Sequence, residues 1–215
     1  MGVLIAVEGL DGAGKRTLID AVAGRLRGSG IRVHAMAFPR YERSLTADLA
    51  AEALRGGHGD LAESVNAMAV LFALDRLGAR DELSKSLADN DIVILDRYVA
   101  SNAAYSAARA GQHADGEIAS WVAELEFRRL ELPVPDVQVL LDVPADLAGE
   151  RARRRGELDA DRALDAYERD RSLQERTAAV YRELARDRWY GPWWVHAPQD
   201  DPSRLAVRLS ELTAR

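Results

Sequence analysis

The sequence has no cysteine, three phenylalanines and two lysines, Lys15 and Lys85, among its 29 basic residues. Without cysteine there are no disulfides, thiolate metal sites or cysteine nucleophiles. No apolar run approaches the ~20 residues that span a bilayer, so no membrane is expected as a partner. The N-terminus lacks a basic leader and enters acidic sequence at Glu8, which points to the cytoplasm. A net charge of −6 argues against nucleic acid as a partner. His34, His58, His113 and His196 have no metal-ligand spacing and read as structural or surface groups. Hydrophobic residues at 47% and charged residues at 30% describe a chain that folds. Its 215 residues predict a single domain over 1–215 that needs no staples. The abundance of arginine goes with 37 alanines, a bias of composition.

Strand and helix signals alternate along the chain. Apolar runs at Val3–Val7, Arg32–Phe38, Ile92–Leu95, Val137–Val143 and Trp193–Ala197 predict five strands. Helical patterns fall over Arg16–Arg27, Ser44–Leu54, Leu61–Ala88, Ser101–Leu130 with a break near Gly111, Ala145–Arg155, Leu164–Arg186 and Arg204–Leu212. Gly156–Arg162 reads as a loop. Strands separated by helices predict an α/β fold with a parallel sheet and helices on both faces. Ligands in such sheets sit outside the carboxyl ends of the strands.

Gly9-Leu10-Asp11-Gly12-Ala13-Gly14-Lys15 matches G-x-x-x-x-G-K between a predicted strand and a predicted helix. Glycines let the backbone curl so that successive N–H groups aim at phosphate oxygens. The helix N-terminus adds partial positive charge, and Lys15 is a compact cation that reaches the β and γ phosphates. Arg16 stands where a metal-binding Ser/Thr usually follows the lysine, with Thr17 one place later. Either Thr17 substitutes or the metal is held elsewhere, Asp11 being a carboxylate of suitable hardness. Ile92–Asp96 is an apolar strand ending in a carboxylate, the Walker-B pattern, whose Asp96 can hold Mg²⁺ or its water shell.

With lysine only at 15 and 85, no Asn/Thr-Lys-x-Asp guanine reader exists, and no LSGGQ-like transporter signature is present. Arg40, after the second strand, and Arg97, after the third, suit an acceptor that already carries a phosphate, because guanidinium pairs with it bidentately. Glu8 and Glu42 leave a hydroxyl acceptor open. Phe72 and Arg76 share one helix face, where a ring and a guanidinium can read a nucleobase; Phe72 taken alone also reads as core.

These residues resemble the thymidylate kinases, in particular the mycobacterial type. The matching pieces are Glu8–Thr17, Phe38–Tyr41, Leu71–Arg76, Asp96–Tyr105 and Asp165–Glu168, in order along nearly the whole chain. The resemblance implies a P-loop nucleoside monophosphate kinase fold with a five-stranded parallel sheet. It implies transfer of the ATP γ-phosphoryl group to dTMP, with Mg²⁺ as cofactor and a homodimer as the assembly. It assigns Gly9, Gly12, Ala13, Gly14, Lys15, Arg16 and Thr17 to ATP. Phe72 would stack on thymine, Arg76 would bond its carbonyl edge, and Asn102 with Ser101 would read the remaining edge. Tyr105 would lie under the sugar. Arg40, Tyr41 and Arg97 would grip the acceptor phosphate in a pocket lined by Phe38. Asp11 would contact the 3′-hydroxyl or the metal. Asp165, Tyr167 and Glu168 would close over the site, with Glu168 near Mg²⁺ beside Asp96. The arginines at 151 and 153–155 match the family's LID, about 148–165, and Arg155, then Arg151, is expected to neutralise the transferring group. A deoxynucleoside kinase and a non-catalytic nucleotide-binding module are the alternatives.

Overall fold

A computed structural model describes residues 2–158 and 165–213, with the backbone alone over 155–158. Five strands, β1 (Val3–Glu8), β2 (Val33–Ala37), β3 (Ile92–Asp96), β4 (Val137–Leu141) and β5 (Trp193–His196), form one all-parallel sheet in the order β2-β3-β1-β4-β5. The strands match the five apolar runs. β1, β3 and β4 are buried almost throughout, as central strands covered on both faces must be, whereas the edge strands carry partly exposed residues.

Register decides where chemistry gathers. Val7 lies opposite Asp96 and Val139, and Ala37 opposite Asp96. The carboxyl ends of β1, β2 and β3 therefore finish side by side. The glycine loop, Phe38–Tyr41 and Arg97 emerge from one rim, at the order reversal where parallel sheets bind ligands.

Helices α1 (Lys15–Gly28), α2 (Leu45–Leu54), α3 (Val65–Gly78), α4 (Arg80–Asp89), α5 (Val99–Arg109) and α6 (Glu117–Ala123) are followed by α7 (Ala145–Leu158), α8 (Ala166–Arg169), α9 (Arg171–Arg186) and α10 (Pro202–Ser210). α5 is buried nearly all round, packed by α3, α6 and α9, and its alanines at 100, 103, 104, 107 and 108 permit that close approach.

The predicted helix over Leu61–Ala88 is three pieces. A 3₁₀ turn spans Leu61–Glu63. Ser64 then caps α3 by accepting from the N–H of Ala67 at 3.2 Å, and the helix ends at Gly78–Ala79 before α4. The predicted Leu164–Arg186 helix is likewise split, because Asp165 caps α8 and Asp170 caps α9. α7 continues through Gly156–Leu158, where a loop was expected; the rest of that segment, 159–162, and Leu164 lie outside the described residues. α6 runs directly into a π-helical segment, Glu124–Arg129, marked by the N–H of Leu130 donating to the carbonyl of Leu125.

Candidate active site

The glycine loop crosses from β1 into α1 with Gly9, Gly12 and Gly14 at φ of 142°, 76° and 98°. Gly12 is required twice over. Its φ is left-handed, and a Cβ there would stand 2.1 Å from the carbonyl oxygen of Ala148 on α7. Lys15 folds back over the loop, its Nζ donating to the carbonyls of Gly9 at 3.1 Å and Leu10 at 2.9 Å. Burial, reinforced by the charge of Arg97, lowers its pKa to about 8 against the pull of Asp11, Asp96 and Glu8.

Arg97 sits at φ 67°, its N–H held by the carbonyl of Val7 at 2.9 Å. Its guanidinium spans Asp11 Oδ1 at 2.6 Å, Ser101 Oγ at 3.0 Å and the Tyr181 hydroxyl at 3.3 Å. The other Asp11 oxygen accepts from the Tyr105 hydroxyl at 2.8 Å. Burial alone would raise the Asp11 pKa, but the charges of Arg97 and Lys15 outweigh it and hold the carboxyl well below its ordinary range. Beneath them Glu8, fully buried, accepts from the backbone N–H of Tyr98 at 2.8 Å and from Ser101 Oγ at 2.6 Å. Burial raises its pKa against those hydrogen bonds. The Tyr181 hydroxyl completes this group, 2.8 Å from Ser101 Oγ.

Asp11, Lys15, Arg97, Ser101 and Tyr105 of this group border a cavity of about 820 Å³, with Glu8 and Tyr181 packed behind them. Asp11, Gly12, Gly14, Lys15, Arg16, Thr17 and Arg151 line its P-loop end. Phe38, Tyr41, Asp96 and Arg97 line its middle. Phe72, Arg76 and Asn102 line the far end, Ser101 and Tyr105 lie beside Arg97 and Asp11, and Asp165, Tyr167 and Glu168 complete the lining. Tyr105 stacks on Tyr167 with ring centroids 6.1 Å apart and planes 18° from parallel. Asp165 and Glu168 form a reciprocal capping box: the N–H of Glu168 donates to Asp165 Oδ1 at 2.8 Å, and the N–H of Asp165 to Glu168 Oε2 at 3.2 Å. Arg151 reaches from α7 to the carbonyl of Ala13 at 3.3 Å.

Three of the expected residues do not line the cavity. Gly9 and Ala13 contribute backbone carbonyls to Lys15 and Arg151. Arg40 turns to Asp75: its Nε donates to Asp75 Oδ1 at 2.9 Å and its Nη2 to the Asp75 carbonyl at 2.7 Å. That carboxylate is fully buried and holds the guanidinium outside the pocket. The side chain of Arg155 lies outside the described residues. Among the described residues no group of three or more His, Cys, Asp or Glu converges as a metal site, so Asp11, Asp96 and Glu168 are not one cluster.

Sequence reasoning named Glu8 only as an available base and did not select Arg109, Glu126 or Tyr181 as site residues. Arg109 lines the cavity, donates to the Tyr167 hydroxyl at 2.5 Å and lies over that ring. Glu126 holds Arg76 from behind. No helix among the described residues is long and apolar enough to cross a membrane.

The sequence matches the family model for thymidylate kinase over residues 7–192. It is 58% identical over 208 residues to the thymidylate kinase of Mycobacterium tuberculosis (strain CDC 1551 / Oshkosh), covering 97% of each chain. It is 34% identical over 164 residues to a probable thymidylate kinase of Archaeoglobus fulgidus, 76% of each chain. A thymidylate kinase of Caulobacter vibrioides is 32% identical over 186 residues, 86% of this chain and 83% of that one.

Proposed function

The chain belongs to the thymidylate kinase family, and from that premise we propose that its cavity transfers the ATP γ-phosphoryl group to dTMP, giving dTDP and ADP. The observation that carries the reading is the joining of the phosphate loop to Arg97 through Asp11 at 2.6 Å, which sets donor and acceptor ends against each other.

Phosphoryl transfer asks for positioning and for charge neutralisation more than for covalent help. The loop N–H groups and the α1 N-terminus take the ATP phosphates. Lys15 leaves the carbonyls of Gly9 and Leu10 for the β and γ oxygens. Arg97 and Tyr41 hold the dTMP phosphate in line with the γ-phosphoryl group, and Phe38 walls that pocket. Phe72 stacks on the base, Arg76 and Asn102 bond its edge, and Tyr105 lies under the sugar, where a 2′-hydroxyl would crowd it. Tyr167 closes over the site from α8. Arg155, with Arg151 next, brings α7 charge onto the transferring group and excludes water.

Mg²⁺ fits as a companion of the nucleotide. It is bound through one or two carboxylates plus phosphate oxygens and water. Asp96, a cavity-lining carboxylate that acts on the charge of Lys15, would hold it; Asp11 and Glu168 stand nearest that role after it. Bound there, it neutralises charge on the phosphate oxygens. A homodimer and a cytoplasmic setting complete the reading, the former checked by light scattering.

The deciding experiment is ADP release measured with ATP, Mg²⁺ and a panel of monophosphates. dTMP should be turned over far faster than UMP, CMP, AMP or GMP. Equal or better activity on another monophosphate rejects the reading.

A further inference from the structure

Glu126 is fully buried on the π-helical segment that follows α6. Its carboxylate grips two residues at the far end of the cavity. Oε2 accepts from Arg76 Nε at 2.5 Å, and Oε1 accepts from Arg76 Nη2 at 2.7 Å and from Asn102 Nδ2 at 2.8 Å. Three donors thus meet one buried anion.

Asn102 is held in one orientation by its two donors. Its amide nitrogen carries two hydrogens. One goes to Glu126, the other to the carbonyl of Ala69 at 2.9 Å. Both partners only accept, so the nitrogen must face them and the amide cannot turn over. The group left over is Oδ1, an acceptor, with a long contact of 3.3 Å from the Ser106 hydroxyl, and both residues line the cavity. For Arg76, the side-on pair uses Nε and one hydrogen of Nη2. The remaining N–H groups of the fork are donors on the opposite edge, and Arg76 lines the cavity.

We propose that Glu126 is the specificity-determining positioning residue of the base pocket, fixing one acceptor (Asn102 Oδ1) beside donors (Arg76). This rests on the reading of the cavity as the dTMP site. A pyrimidine with a protonated N3 and a carbonyl at C4 matches that pattern. Cytosine inverts it, with a bare N3 and an amino group at C4, so acceptor meets acceptor and donor meets donor. Glu126 touches neither base nor phosphate; it acts through the two residues that do. A freely turning Asn102 would serve both bases.

The test is steady-state kinetics of Glu126→Gln beside the parent protein, with dTMP and dCMP as acceptors. Glutamine keeps one acceptor oxygen for three donors and sets an amide NH₂ against one of them, which frees Asn102 to turn. For dTMP, kcat/KM should fall about tenfold or more, mainly through KM, and the dTMP-to-dCMP ratio should shrink by a similar factor. An unchanged ratio in a variant that melts like the parent overturns the proposal; a merely structural role leaves the ratio where it was. Should the variant not fold, N3-methyl-dTMP decides on the parent protein. A loss of turnover above about tenfold supports the fixed Asn102 acceptor, and a smaller loss overturns it. Failure of the acceptor assignment looks different, since the parent itself would then show no preference for dTMP over dCMP.

Discussion

Asp11 Oδ1 lies 2.6 Å from Arg97 Nη2, an ion pair that ties the phosphate loop to the end of β3 across 86 residues of sequence. Arg97 also spans Ser101 and Tyr181, so its fork is oriented before any phosphate arrives. Preorganised charge of this kind contributes about 10²–10³ in rate at other sites. Arg97→Ala should therefore lower kcat/KM for dTMP by about 10² or more. Arg97→Lys should recover little, because a compact ammonium lacks the planar fork that spreads donors to Asp11, Ser101 and Tyr181 and pairs bidentately with phosphate. Asp11→Asn keeps the shape and removes the charge, so a smaller loss is expected. ADP-coupled kinetics of the three variants check the order; a lysine variant equal to the parent rejects it.

Lys15 gives a pH prediction. Burial, with Arg97 beside it, brings its pKa down to about 8 from an ordinary 10.5. Between those values the unfolded chain holds more protons than the folded one. Stability of the nucleotide-free protein therefore gains from this group as pH rises through that window, and the cost of burying the cation is present in full below about 8. ATP binding needs the cation, so affinity should weaken above pH about 8, by up to about tenfold per unit. Calorimetric titration with ATP across that range is the check. Lys15→Met should bind weakly with a flat profile, and an equally flat profile in the parent excludes the idea.

Much of this arrangement was legible in the chain. Five apolar runs marked the five strands, and Gly9–Lys15 marked the phosphate loop because glycine spacing and a following helix are local signals. Phe72 and Arg76, four apart on one helix, were legible as neighbours for the same reason. Glu126 was not. It lies 50 residues from Arg76, in a run of Glu and Arg that reads as a solvated helix face, and only tertiary packing buries it. Tyr181 is similar, 84 residues from Arg97 on the amphipathic α9. Asp165 and Asp170 also look alike in sequence, as helix-interior polar residues, until their caps split the helix.

Two glycines, one in the loop and one in α1, should respond oppositely to alanine. At Gly12 a Cβ would collide with the carbonyl of Ala148 and stand 2.9 Å from the N of Ala152, at φ 76°. Gly12→Ala should cost about 2 kcal/mol or more and push the loop away from α7, with activity falling as well. At Gly24, exposed within α1, a Cβ meets nothing within 4 Å. Gly24→Ala should stabilise by about 0.5–1 kcal/mol through helix propensity alone, without changing KM. Denaturant melts of both variants distinguish the cases; a stable, fully active Gly12→Ala contradicts the contact.

Arg40 separates a structural arginine from a substrate-binding one. Resemblance to the family placed it on the acceptor phosphate together with Tyr41 and Arg97. In the fold its Nε and backbone N–H donate to the two oxygens of Asp75, its Nη2 to the Asp75 carbonyl, and Glu82 lies 3.7 Å from Nη1. The Arg40 side chain is 10% exposed and that of Asp75 0%. Removing one partner of such a buried pair strands the other charge, at a cost of about 3–5 kcal/mol. Arg40→Ala should therefore lower the melting temperature by roughly 6–20 °C in a chain of this size. Because the guanidinium stands outside the cavity, KM for dTMP in the folded variant should stay within about threefold of the parent, a change well under 1 kcal/mol. Paired with Asp75→Ala in a double-mutant cycle, the losses should be far from additive, since the two groups share one interaction. Additive losses, or a large rise in KM with an unchanged melting temperature, would return Arg40 to the phosphate.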